Sequence, residues 1–122
     1  MKVLLLANES PADFDLRDKE QEYEGYMGQW YAFGGSLEKA GVFLQGAALA
    51  PPSTATVVSV RNGVRNVEDG PYPDTKEQLG GFFIIEVADL TKAADWAAKC
   101  PASKSGFVDA RVIPNFHEEH AK

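Results

Sequence analysis

Two short runs constrain this chain most: Val3-Leu4-Leu5-Leu6-Ala7 and Phe82-Phe83-Ile84-Ile85 are apolar at every position. Successive strand residues point to opposite faces of a sheet, so a run without polar alternation predicts a strand covered on both sides. The rest of the chain offers two helical segments, enough for one face only. Something else must cover the second face, and a symmetric partner, the chain pairing with itself, is the simplest answer. With 122 residues, one domain is expected, large enough to bury a core without staples.

Read in order, Asn8 to Asp13 is expected to be a loop broken at Ser10-Pro11. From about Asp15 the periodicity becomes helical. Leu16, Tyr23, Met27, Trp30, Phe33 and Leu37 recur at spacings of 7, 4, 3, 3 and 4, drawing one apolar stripe. Gly25, Gly28 and Gly34-Gly35 weaken this helix by roughly 1 kcal/mol each relative to Ala, allowing a break near Gly34. Gly41 is the stop. A strand over Val42 to Ala50 ends at Pro51-Pro52. Thr54 to Arg61 alternates as a strand, Asn62-Gly63 is a strong hairpin turn, and Val64 to Glu68 returns. The next strand is Phe82 to Val87. Asp89 is a good N-cap for a helix from Leu90 to about Lys99, with Leu90, Ala93, Ala94, Ala97 and Cys100 as its stripe and Pro101 as its end. Gly106 to Ile113 is the last strand. The order is β-α-β-(β-hairpin)-β-α-β, a ferredoxin-like split βαβ subunit of class α+β with an added hairpin. One domain spans residues 1–114, and 115–122 is a polar tail.

Charge and composition remove several function classes. Eighteen acidic residues against twelve basic give a net charge of −6, with seven acids between Glu9 and Glu24. Such a surface repels phosphate backbones, so no nucleic acid is expected. No apolar run approaches the ~20 residues of a membrane span. Five apolar residues after Met1-Lys2 are too few for a signal peptide. A single cysteine permits no internal disulfide and points to the cytoplasm. With no phosphate loop, nucleotide fingerprint or zinc spacing, neither cofactor nor metal is expected. His117 and His120 read as a solvated tail, and Cys100 reads as core.

The densest polar stretch outside a helix is Asp69-Gly70-Pro71-Tyr72-Pro73-Asp74-Thr75-Lys76-Glu77-Gln78-Leu79-Gly80-Gly81, a stiff turn running into a strand. Asp69, Tyr72, Lys76, Glu77 and Glu86 are its candidate ligand-binding residues: carboxylates beside a ring hydroxyl and one cation. The alternatives are a turn-forming Asp69 in a solvated loop and Glu86 in water at its strand end. Tyr23, Tyr26, Trp30, Tyr31 and Phe33 either line an aromatic pocket or pack a helix. Tyr26 and Tyr31, slightly off the stripe, are the better pocket candidates.

The same stretch resembles the signature of the DGPF-domain proteins of the YCII-related family, with Tyr72 standing where the family has Phe. Ala40-Gly41-Val42, Leu49-Ala50-Pro51-Pro52-Ser53-Thr54-Ala55-Thr56 and Trp96-Ala97-Ala98-Lys99-Cys100-Pro101 extend the likeness over roughly residues 1 to 113. The resemblance implies a ferredoxin-like subunit pairing into a dimeric α+β barrel and leaves the activity open. A His-Asp acid–base pair proposed in some relatives has no counterpart here, since no His precedes His117. Three functions remain open: a homodimeric small-molecule-binding or accessory protein with a pocket at the barrel, an enzyme on small organic acids or ring-derived substrates, and a partner of a sigma-factor-type regulator.

Overall fold

The computed structural model describes residues 1–69 and 77–115. Six strands follow the expected order, with three α-helices in place of the two expected: β1 (Lys2–Glu9), α1 (Pro11–Asp15), α2 (Tyr23–Lys39), β2 (Phe43–Ala48), β3 (Thr56–Arg61), β4 (Val64–Asp69), β5 (Gln78–Glu86), α3 (Leu90–Lys99) and β6 (Phe107–Ile113). Four strands form an antiparallel sheet in the order β2-β5-β1-β6, and β3 pairs with β4 in a separate two-stranded sheet. The all-apolar runs thus lie on the two central strands.

Alternation along β1 separates the two faces of the sheet. Val3, Leu5, Ala7 and Glu9 are fully buried on the side of α2 and α3. There they meet Phe33 and Leu37 of α2, Ile85 of β5, and Ala93 and Cys100 around α3. Burial pushes the Cys100 thiol up to about 11, so it stays a neutral core group. On the other face, Leu4 lies opposite Ile84 and Leu6 opposite Phe82 in register, and all four are half-buried. No described segment packs over them.

Local chemistry explains where the elements differ from the sequence reading. β1 continues through Asn8 to Glu9, and Ser10-Pro11 starts a helix instead of breaking a loop. Ser10 Oγ accepts the Asp13 amide at 3.2 Å, while Pro11 sits in the first turn, where its missing N–H costs nothing. The long helix is interrupted at residues 19–22, after a 3-10 turn at Leu16–Asp18, and not near Gly34. Inward ties of Arg17, given below, hold that first segment against the sheet. α2 then runs unbroken through Gly34-Gly35, because Phe33 and Leu37 on either side are anchored in the core.

The other boundaries are turn chemistry. Gly41 ends α2 at φ 73°, and Asn62 (φ 53°) with Gly63 (φ 78°) makes the two-residue hairpin turn. Asp89 Oδ1 accepts the Lys92 amide at 2.9 Å, capping α3. The buried side of α3 is Ala93, Trp96, Ala97 and Cys100. Leu90 and Ala94 are exposed, because the bulkier Trp96 sets which side turns to the sheet. β5 begins at Gln78, ahead of the expected Phe82, and carries the glycine pair inside the sheet.

Candidate functional site

Gly80 of the glycine pair places β5 against two charged side chains, and Gly81 brings it close to the β2 backbone at Ala47. Gly80 and Gly81 are buried, and a Cβ on Gly80 would stand 1.5 Å from Glu9 Oε2. Only glycine fits. Glu9, with no exposed surface, holds its carboxylate between two donors. Arg17 Nη2 donates to Oε2 at 2.6 Å, and the Tyr26 hydroxyl donates to Oε1. Arg17 also ties the ends of β2 and β5, donating from Nη1 to Leu49 O at 2.7 Å and from Nη2 to Gly80 O at 2.9 Å. Its guanidinium lies 4.3 Å from the centre of the Phe14 ring.

Burial dominates the electrostatics. Loss of solvent raises the Glu9 carboxyl above its ordinary value, and Tyr26 and Arg17 offset only part of that rise. Tyr26 is raised as well, first by burial and then by donating to Glu9, so it remains a neutral donor. The Nε atoms of Arg17 and Trp30 are buried and have no hydrogen-bond partner in normal geometry among the described residues. Trp30 nonetheless lies close enough to Tyr26 to ease the phenol's shift.

Beside this triad is a cavity of about 340 Å³ between α2 and the β2–β5 side of the sheet. Met27, Trp30, Tyr31 and Glu38 line it from α2, Phe43 and Phe83 from the strands, and Arg17 forms part of its wall. Small residues line it as well: Gly34 and Gly35 on the helix, and Gly46, Gly80 and Gly81 on the strands. A Cβ on Gly35 would meet nothing within 4 Å, and one on Gly34 only Phe83 Cε1, at 4.0 Å. Trp30 and Phe83 are nearly parallel, with centroids 6.3 Å apart and planes at 8°, and Phe33 meets the edge of Phe83 at 5.1 Å.

Of the residues singled out from sequence, Asp69 is exposed at the end of β4, and Glu77 is half-buried just before β5. Glu86 is exposed on the open sheet face, its Oε1 3.7 Å from the Met1 ammonium. None of these three lines the cavity. Tyr72 and Lys76 lie outside the described residues, as do His117 and His120. Tyr31 is a cavity residue, whereas Tyr26 is turned inward to Glu9. Glu9 and Arg17 were not foreseen. The available signal was the period of two, since Glu9 continues the buried positions Val3, Leu5 and Ala7.

The fold agrees with the comparisons. The sequence matches the YCII-related domain over residues 1–117. The chain belongs to the YCII-related family. This YCII-related chain is 43% identical over 51 residues to an uncharacterized protein of Rhizobium meliloti (strain 1021), a match spanning 42% of this chain and 41% of that protein. Among solved structures it is similar to 5-chloro-2-hydroxyhydroquinone dehydrochlorinase (TftG) from Burkholderia phenoliruptrix AC1100 in complex with 2,5-dihydroxybenzoquinone. The TM-score is 0.52, with 15% identity over 93% of this chain and 94% of that one. At that identity the likeness is one of fold. Among the described residues of this YCII-related chain, no cluster of His, Cys, Asp and Glu could hold a metal ion, and no helix is long and apolar enough to cross a membrane.

Proposed function

We propose that this YCII-related chain binds a compact, ring-shaped small molecule in the cavity between α2 and the β2–β5 side of the sheet. The observation that carries this reading is the distribution of glycine. Gly34 and Gly35 each cost α2 roughly 1 kcal/mol of helix propensity relative to Ala. Space for a side chain is open at both positions, so packing does not require them. An aromatic-walled cleft shaped at that cost to the helix is best explained by a ligand. Flat rings suit walls made of Trp30, Tyr31 and Phe83, where stacking adds to area burial.

The test uses the cavity itself. Gly34→Leu places a side chain in the cleft while improving helix propensity, so the variant should fold at least as well as the parent. In a Trp96→Phe background, Trp30 is the remaining indole and reports occupancy by its fluorescence. Small ring compounds should change that emission in the parent, and Gly34→Leu should abolish the response. Responses that survive Gly34→Leu unchanged would refute the site.

A second reading is favoured by the fold likeness to a dehydrochlorinase that acts on a substituted ring. In that reading the cavity holds a ring-derived substrate, and Glu9 serves acid–base chemistry relayed through the groups it touches. Turnover of a bound compound, lost in Glu9→Gln with binding retained, separates it from simple binding. In either case we place a second copy of the chain over the open sheet face, where Leu4, Leu6, Phe82 and Ile84 lie uncovered.

A further inference from the structure

Arg17 is the one cationic side chain lining the cavity among the described residues, and it is already committed to oxygen acceptors. Two of these are backbone carbonyls that fix its position and carry no charge. The third is Glu9, the carboxylate paired with the guanidinium among the described residues. Glu9 is fully buried, and its other oxygen is held by Tyr26. A neutral Glu9 would keep an oxygen acceptor for both neighbours. Arg17 would then present an uncompensated charge to a cavity walled by rings.

We infer that Arg17 and Glu9 form a proton-coupled anion site: a flat aromatic carboxylate binds in the cavity against Arg17, and Glu9 takes up a proton as it does. The inference rests on the proposed cavity reading and adds the ligand's charge and its dependence on pH. Two negative groups on one partly buried guanidinium repel each other, so binding of the first favours protonation of the second. Burial has already moved Glu9 in that direction. By linkage, the carboxylate must bind more tightly as pH falls.

Other titratable groups face the pair, and none replaces Glu9 in this role. Asp13 of α1 acts on Glu9 and Tyr26 at a distance as a repelling charge, and Cys100 lies close enough to be influenced by Glu9. Tyr26 is a neutral donor. Tyr23 of α2 feels Arg17 weakly, Glu38 stands on the cavity wall, and Glu77 precedes Gln78, which pairs with Glu9 in the sheet.

The experiment titrates benzoate and 2-naphthoate, each against its uncharged carboxamide, by calorimetry in buffers of differing ionisation enthalpy. The carboxylates should bind at least about tenfold more tightly than the amides near pH 5, a difference of about 1.4 kcal/mol. Their affinity should fall between about pH 5 and about pH 8, with proton uptake approaching one per ligand. Glu9→Gln, an uncharged mimic whose oxygen can face Arg17 while its amide donates to the Tyr26 hydroxyl oxygen, should hold the tight affinity across that range with no uptake. Carboxylates and amides that bind equally, with no pH dependence, would overturn the anion site and leave the cavity reading standing. Absence of binding by all four compounds, in the parent as in Gly34→Leu, would overturn both. Should Glu9→Gln prove unfolded by circular dichroism, proton uptake in the parent decides alone, and zero uptake overturns the inference.

Discussion

At the scale of residues, the decisive feature is a carboxylate placed where none is cheap. Glu9 is buried, and Arg17 and Tyr26 meet only part of its cost. Tyr26→Phe removes one donor and leaves a buried oxygen unpaired, so chemical denaturation should show a loss on the order of 1–3 kcal/mol. The pH dependence has a definite sign. Because the folded chain raises Glu9, it holds that proton more tightly than the unfolded chain does. Glu9's contribution is therefore full below its ordinary value of about 4.5 and is lost as pH rises through the folded value. The stability difference between the parent and Glu9→Gln should shift against the parent as pH increases. A difference that is flat, or of opposite slope, would contradict the assignment. Sequence reading missed Glu9 because Ser10-Pro11 drew the strand's end too early. A proline that breaks one element starts the next equally well.

At the scale of elements, propensity and periodicity located the segments well and their breaks poorly. α3 runs from Leu90 to Lys99 as the Asp89 cap and Pro101 imply, yet its buried side is turned so that Trp96, not Leu90, faces inward. The stripe spacing alone could not choose between neighbouring apolar positions. In α2 the glycines argued for a break, and tertiary anchoring by Phe33 and Leu37 overrode them. They remain a liability to the helix. Gly28→Ala and Gly35→Ala, at positions with open space, should each raise stability by about 0.5–1 kcal/mol. Thermal unfolding checks this, and destabilisation at either site would mean the helix does not run as described. The stretch from Asp69 to Gly81 is the most prominent polar motif in the sequence. Its Gly80 proves to matter through Glu9 and Arg17, whose approach it permits.

At the scale of the molecule, the two apolar runs determine the architecture, since they occupy the two central strands and leave one sheet face open among the described residues. The β3–β4 hairpin adds to the exposed apolar surface: Val58, Val60, Val64 and Val67 are all about half exposed or more. A two-stranded hairpin is marginal on its own in water. Both features predict self-association. Light scattering at micromolar concentration should give twice the 13.3 kDa chain mass, and Phe82→Lys on the open face should reduce it to one. A monomeric parent would remove the dimer. If the cleft against α2 is the ligand site, a crystallographic fragment screen with flat aromatic acids should find fragments seated between Trp30, Tyr31 and Phe83 with their acidic oxygens toward Arg17. Fragments found only on the open sheet face, with that cleft empty throughout, would contradict it.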